Sequence, residues 1–317
     1  FALLAASYEQ MHEYALAANA YRQALQLDPS RAEIKEALAQ DLAMSNQLDE
    51  ALKLYQDVIQ ANPQNAQAYL RISQIYRQQK KYDLAQQASD KAKAIDPDNL
   101  DVRYNSVALF EAQGKIQEAI TTLKGILDET SKKSYSPPEK GYRAMMLEKL
   151  GRLYGNLEQY DQAADSFRQL AALDPDVAPR AEAQIIDTYR TAKDFNKAQQ
   201  ESDAASKKYP NDRTLRSVRA ELLSDMNKPD AAIAELKKGF DGNKDHDRET
   251  WVGLAQVYDK TRNFDEMTKA LDSAEKLAAS KDDKTTILFM RGVMLERQKK
   301  MTQAEGEFRK VLDADPD

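Results

Sequence analysis

Apolar residues fall into pairs of segments with helical spacing along most of the chain. In one such pair, Leu147, Leu150 and Tyr154 recur at intervals of three and four residues, and Ala163 and Phe167 resume that spacing after a short polar turn. These intervals place side chains on one face of an α-helix. The strict alternation that is typical of strands is not evident. The pattern therefore predicts units of helix, turn, helix and turn.

Proline marks a fixed period in the first part of the chain. Pro29, Pro63 and Pro97 lie 34 residues apart, and each closes a segment rich in Ala, Tyr and Leu. Proline ends a helix because it has no N–H to donate and disfavours a helical residue before it. A constant period of this length indicates a stack of small repeated units, not one globular core.

The repeated residues resemble the tetratricopeptide repeat family. The positions that carry the resemblance are Leu147, Leu150, Gly151, Tyr154, Ala163, Phe167 and Pro175 in one repeat and Trp251, Leu254, Ala255 and Tyr258 in another. The same register gives nine repeats over essentially the whole chain, the last closing at Pro316. The resemblance implies an all-α fold, a right-handed superhelical solenoid of about nine helix-turn-helix repeats.

Small residues are expected where the two helices of a repeat cross. The second helices carry Ala at one position in eight repeats and Met in another: Ala17, Ala51, Ala85, Ala119, Ala163, Ala198, Ala232, Met267 and Ala304. Short side chains let helices approach closely, and enlarging one overpacks the crossing. Gly151, Gly253 and Gly292 fall in first helices, where we expect close packing to explain them.

The repeat register is interrupted at three places. The largest interruption, 128–143, adds about ten residues between the fourth and fifth repeats and contains Pro138, a plausible helix start. Two shorter ones span 241–247 and 280–284. None is long enough to be a domain, so the sequence predicts one solenoid domain over 1–317. Since the chain begins inside a helical pattern and without Met, we expect it to be part of a longer protein.

The composition mainly argues against certain partners and sites. The chain has 46 basic and 52 acidic residues, a formal net charge of −6, whereas proteins that bind nucleic-acid backbones usually carry a basic excess. There is no Cys, hence no disulfide or thiolate metal site. No stretch approaches the length of about 18 apolar residues that a membrane span needs. We predict neither a nucleic-acid partner nor direct membrane insertion.

Residues suited to catalysis are sparse. Of the two histidines, His12 lies in a turn and His246 in an acidic loop beside Asp245 and Asp247. A metal site would need further ligands at helical spacing, and no such set is present in the sequence. No Gly-rich phosphate loop follows a strand. The sequence predicts no enzyme, no metal and no cofactor.

Binding is expected on the first helices, because the resemblance implies that they line a concave groove that commonly holds an extended peptide or a partner's helix. The candidate residues are polar members of these helices in repeats three to six: Arg71, Gln74, Arg77, Tyr104, Asn105, Lys149, Arg152, Arg180, Gln184, Asp187 and Arg190. Arg can grip carboxylates through two hydrogen bonds, and amides can pair with a peptide backbone. The hypothesis is an extended acidic or C-terminal peptide; the alternative is an ordinary hydrated helix face.

The sequence thus predicts a non-catalytic protein–protein interaction scaffold or adaptor with a protein or peptide partner. The alternative is a regulatory or carrier domain of a larger protein whose catalytic or membrane-anchored part lies outside this segment, and a third class is an enzyme with a groove active site. Uncapped solenoid ends would also allow self-association. The expected setting is soluble, in the cytoplasm or a bacterial periplasm; the lack of Cys slightly favours the periplasm.

Overall fold

The computed structural model describes residues 1–314, and in this range the chain forms helices joined by turns and loops, with no strand. Its eighteen helices pair into nine repeats, each with a first and a second helix. The all-α repeat fold predicted from the sequence is therefore confirmed. Pro316, the predicted end of the ninth repeat, lies outside the described residues.

The chain divides into two compact units within the longest interruption of the repeat register. The N-terminal unit is Phe1–Tyr135 and holds four repeats; the C-terminal unit is Ser136–Asp317 and holds five. The helices of the N-terminal unit are α1 (Ala2–Gln10), α2 (Tyr14–Leu27), α3 (Ala32–Met44), α4 (Leu48–Ala61), α5 (Ala66–Gln78), α6 (Tyr82–Ile95), α7 (Leu100–Ala112) and α8 (Ile116–Glu129). Those of the C-terminal unit are α9 (Pro137–Asn156), α10 (Tyr160–Leu173), α11 (Ala178–Thr191), α12 (Phe195–Lys208), α13 (Arg213–Asp225), α14 (Pro229–Lys237), α15 (Lys244–Lys260), α16 (Phe264–Leu277), α17 (Lys281–Arg297) and α18 (Met301–Ala314). The single domain over 1–317 stays a prediction.

Every repeat turns between its two helices through one residue with a positive φ. These residues are His12, Asn46, Lys80, Gly114, Glu158, Lys193, Asn227, Arg262 and Lys299. The left-handed conformation lets the following N–H reach back to the first helix: Lys81 N donates to the carbonyl oxygen of Tyr76 at 2.8 Å. The prediction that His12 is an exposed turn residue is confirmed. This shared turn sets the register of all nine repeats.

Second helices end where a proline follows. α4 ends at Ala61, and Asn62 takes an extended conformation with φ −135° and ψ 90° before Pro63. The residue before a proline avoids the helical region because the proline ring clashes with it. α2, α6 and α10 end in the same way before their prolines. The periodic prolines therefore do what the sequence predicted.

The helix crossings are closely packed. The eight alanines predicted at the crossings are at most 3% exposed, and Met267 in the eighth repeat is equally buried. A Cβ added to Gly151 would lie 2.5 Å from Cζ of Phe167, and one added to Gly292 would lie 2.4 Å from Cε1 of Phe308. Close packing thus explains these glycines, as expected, because a methyl group has no room there.

The interruptions of the register lengthen the first helices that follow them. α9 has 20 residues and α15 and α17 have 17 each, compared with 13 in α3, α5 and α7. The start of α9 is fixed by Ser136, whose N–H donates to Oε2 of Glu139 at 2.9 Å. The segments 241–247 and 280–284 lie partly within α15 and α17. The extra residues therefore add helical turns to the C-terminal unit.

Candidate functional site

A cavity of about 870 Å³ opens on the C-terminal unit. Its walls come from the first helices α11, α13, α15 and α17, with one residue each from the second helices α14 and α16. A cavity of this size is within the range of ligand-binding clefts. We call it the C-terminal groove.

The apolar lining of the C-terminal groove comes mainly from α15 and α17. Val252 on α15 and Phe289, Met290 and Val293 on α17 face it. Phe289 and Val293 are one helical turn apart, so they lie on the same face of α17. The ring of Phe289 packs beside that of Phe308, with 5.8 Å between centroids, yet Phe289 is still 53% exposed. It has apolar area that a ligand could bury.

One group of charged residues at the groove is joined into a network. Arg190 on α11 contacts Asp187 at 2.6 Å, Glu221 at 2.8 Å and Asp225 at 2.9 Å. Asp225 also accepts from Nζ of Lys260 at 2.6 Å. Burial alone would raise the pKa of Asp225, but the hydrogen bonds from Lys260 and Arg190 outweigh it and lower the pKa below its ordinary value. The carboxylate therefore stays ionised, and the network links three first helices.

The other charged residues of the groove are paired as well. Arg248 contacts Oδ2 of Asp283 at 2.5 Å, and Arg297 contacts Oδ2 of Asp259 at 2.9 Å. Glu249 lies 3.6 Å from Arg213. Each of these pairs joins neighbouring first helices of the C-terminal unit. The ion pairs therefore connect the first helices that line the groove.

The uncharged polar residues of the groove differ from the charged ones. Ser217 and Ser224 on α13, Gln256 on α15 and Thr286 on α17 line it. Within residues 1–314, none of these four side chains takes part in a hydrogen bond. Hydroxyl and amide groups can both donate and accept. They provide the groove's unused hydrogen-bonding capacity.

The five sequence-predicted residues of the N-terminal unit lie on α5 and α7. Arg71 Nη1 donates to Oε1 of Gln74 at 3.0 Å, and both side chains are half-buried, as are Arg77 and Tyr104. Asn105 is only 3% exposed. Its Nδ2 donates to Oγ of Ser73 at 2.9 Å, in the core. Asn105 therefore supports helix packing, which corrects its placement among the groove residues.

The six predicted residues of the C-terminal unit lie on α9 and α11: Lys149, Arg152, Arg180, Gln184, Asp187 and Arg190. Arg152 is exposed, whereas Arg180 is held by Glu148 at 2.7 Å. Only Arg190 lines the C-terminal groove. The predicted set and the observed groove therefore share a single residue.

The apolar residues of the groove lie outside the sequence-predicted set, which covers the inward positions of repeats three to six only. The signal was available. Counting from the left-handed turn residues, Asp187 in the sixth repeat corresponds to Glu221, Gln256 and Val293 in the next three. The register therefore places Val293, one of the apolar residues of the groove, at an inward position of the ninth repeat.

Neither histidine belongs to a metal site. Nδ1 of His246 lies 2.7 Å from Oδ2 of Asp241 at the start of α15, and Nδ1 of His12 lies 2.9 Å from the hydroxyl of Tyr14. Over residues 1–314, no group of three or more His, Asp or Glu side chains could hold a metal ion. In the same range no helix has the length and apolar character to cross a bilayer.

Paired helices with a constant turn, Ala at the crossings and a groove on the first helices define a helical repeat protein. Sequence profiles of the tetratricopeptide repeat match at residues 1–31, 36–100, 76–135 and 146–177. The profile of the Psidin N-terminal TPR repeats region matches at 186–316. The chain belongs to the tetratricopeptide repeat family. This fold generally serves protein–protein interaction and is generally non-catalytic.

Two relatives of known description are much longer than this chain. Cellulose synthase operon protein C of Pseudomonas fluorescens (strain SBW25) is 36% identical over 91 residues, which are 29% of this chain and 7% of that protein. Human protein O-mannosyl-transferase TMTC1 is 35% identical over 94 residues, 30% of this chain and 11% of that protein. Among solved structures, a tetratricopeptide repeat protein from Parabacteroides merdae ATCC 43184 has a TM-score of 0.49 at 18% identity, over 82% of this chain and 98% of that one.

Proposed function

We propose that this protein is a non-catalytic scaffold that binds an extended segment of a partner protein in the C-terminal groove. The observation that carries the proposal is the exposed aromatic ring of Phe289 inside a cavity of about 870 Å³. Large apolar side chains in concave sites are the usual energetic centres of protein interfaces. The family's general role in protein–protein interaction supports the same conclusion.

The experiment that tests the proposal is site-specific photocrosslinking. A photoreactive benzoylphenylalanine replaces Phe289, and in a matched control it replaces Met301, which is similarly exposed (53% and 58%) but does not line the groove. Both proteins are irradiated in extract of the source cell, and crosslinked peptides are identified by mass spectrometry. We expect one contiguous partner segment at position 289 and not at 301. The same crosslinks at both positions would refute the proposal.

The polar residues predicted from the sequence remain second candidates for partner binding, separately in each compact unit. Arg71 and Arg152 have no ion pair within residues 1–314, so their guanidinium groups could contact an acidic peptide. The single variants Arg71→Glu in the N-terminal unit and Arg152→Glu in the C-terminal unit test these residues in pull-downs of the crosslinked partner. Undiminished capture would remove these two residues from the binding surface.

A second candidate function is a docking or regulatory region of a longer protein. The observation that favours it is that the chain spans only 7% and 11% of the two relatives described above. The test is to read the coding sequence on both sides of this segment and to assay the longer product with and without Phe289→Ser. A catalytic activity that changes with the groove variant would support this function.

A further inference from the structure

The charge balance of the C-terminal groove limits what it can hold. This inference rests on the proposed function and concerns the chemistry of the bound segment. We infer that the groove binds a segment without net charge, held by at least two large apolar side chains and by hydrogen bonds to its backbone. An acidic tail, the partner suggested by the polar residues of the middle repeats, does not fit this groove.

The first reason is that the charged lining is already neutralised. The lining residues that carry charge are Arg190, Glu221, Arg248, Glu249, Asp259, Lys260, Asp283 and Arg297. Four are basic and four are acidic, and each has an opposite charge within 4.0 Å in the same unit. A carboxylate on the ligand would have to displace an internal one to reach a cation. The exchange leaves the displaced carboxylate unpaired, so it offers no net gain.

The network around Asp225 shows this most clearly. Arg190 and Lys260 are two of the four cations of the groove, and both already donate to Asp225. The lowered pKa of Asp225 means that it does not release them by protonation at neutral pH. Glu221 holds Arg190 from another side. An acidic ligand would have to compete with three carboxylates for Arg190 and with Asp225 for Lys260.

The second reason is that the free polar groups are uncharged. Ser217, Ser224, Gln256 and Thr286 are distributed over three of the four first helices that line the groove, α13, α15 and α17. Hydroxyls and amides match the N–H and C=O groups of an extended backbone, which each residue of a ligand supplies regardless of its side chain. The apolar side chains of the segment then meet Val252, Phe289 and their neighbours. Both kinds of contact favour a neutral ligand.

The test is a selection from random dodecamer peptides displayed on phage. The chain is used in three forms: unchanged, with Phe289→Ser, and with Met301→Ser as the matched control. Thermal unfolding first verifies that all three are folded. We expect peptides that depend on Phe289 and not on Met301, with near-zero net charge and at least two of Leu, Ile, Phe, Trp or Met.

The selected peptides are then synthesised and their affinity is measured by fluorescence polarisation at about 50 mM and about 500 mM NaCl. We expect a change of less than about twofold with salt, because screening acts on charged contacts. Replacing one apolar anchor by Glu should weaken binding by about tenfold or more. Charged peptides whose affinity falls about tenfold with salt would overturn this inference but keep the proposed function. If no peptide depends on Phe289, the proposed function itself fails.

Discussion

The two compact units are built from the same repeat but use their first helices differently. In the N-terminal unit, polar side chains of these helices and their caps bind one another: Asn65, the N-cap residue of α5, donates through Nδ2 to Glu36 at 2.8 Å, and Asn105 donates to Ser73. In the C-terminal unit, Val252 and Phe289 occupy the position that Glu36 holds in its repeat, ten residues before the left-handed turn residue. At this position the second repeat presents a charged side chain, whereas the eighth and ninth repeats present the apolar side chains that line the C-terminal groove.

The two units also differ at one repeat position in the core. Asp41 lies five residues before the turn residue of the second repeat, where the eighth repeat has Val257. Asp41 is 1% exposed, and within residues 1–314 its Oδ2 has no hydrogen-bond partner. Burial, assisted by the charge of Glu9, raises the pKa of Asp41 to about 7. The second repeat therefore has a destabilising carboxylate where the eighth repeat has the apolar side chain of Val257.

The largest expected effect on stability comes from giving each of these two positions the residue type of the other. The unfolded chain ionises Asp41 near pH 4 and the folded chain near pH 7, so the wild-type free energy of unfolding should fall between these values and level off above. Asp41→Val should remove this slope and stabilise the protein at pH 8 by up to about 4 kcal/mol. Urea unfolding of the wild type and of Asp41→Val at pH 4 and pH 8 measures both the slope and the stabilisation.

The reciprocal variant is the control for that exchange. Val257→Asp places a buried carboxylate in the C-terminal unit and should destabilise the protein more at pH 8 than at pH 4. A pH-independent effect in both variants would show that size, and not charge, distinguishes the two positions.

A smaller effect is expected at the close contact of α9 with α10. Gly151→Ala should cost about 1–3 kcal/mol, because the new methyl group overlaps the ring of Phe167. Gly155 is in the same helix and has no atom within 4 Å of an added Cβ. Gly155→Ala should therefore stabilise by about 0.5–1 kcal/mol. Equal effects of the two changes on thermal unfolding would contradict the contact.

Substitutions at the positive-φ turn residues should change the stability by similar amounts in both units. Lys80 in the N-terminal unit and Lys193 in the C-terminal unit have φ values of 59° and 57°. Glycine adopts this conformation without steric cost, so each change to Gly should stabilise by roughly 0.5–1 kcal/mol. Gly114→Ala should destabilise by a similar amount. If only one of the two Lys→Gly changes stabilised the protein, the turns would not be equivalent.

The smallest effect is expected from the ion pairs of the groove. Arg190 and Asp225 are partly exposed, so their coupling should be only about 0.5–1 kcal/mol. A double-mutant cycle with Arg190→Met and Asp225→Asn measures it by urea unfolding. The coupling should shrink with added salt. A value near zero at low salt would mean that the network does not stabilise the C-terminal unit.

Much of the fold could be predicted because it depends on local features. The intervals of Leu147 and Leu150 specify a helix, and a proline after Asn62 ends one, whatever the rest of the chain does. Ala at the crossings and Gly beside Phe167 indicate that the helices pack closely there. The paired-helix spacing recurs nine times along the chain, so the repeat and its count followed from the sequence.

The candidate site could be predicted only in part, because partners across helices are not visible along the chain. Asn105 is a polar residue on a first helix, but its hydrogen bond to Ser73 buries it. Arg190 has the charge that an acidic peptide needs, but Asp225 and Glu221 already neutralise it.

The sequence by itself determined the helices, their turns and the repeat register, since these depend on contacts between residues a few positions apart. Only the tertiary structure decided which charges are satisfied internally and where apolar area stays open. Those properties depend on side chains about 35 residues apart that meet when neighbouring repeats stack. Arg190 and Phe289 gain their opposite roles in this way, the first held by carboxylates and the second left free to bind.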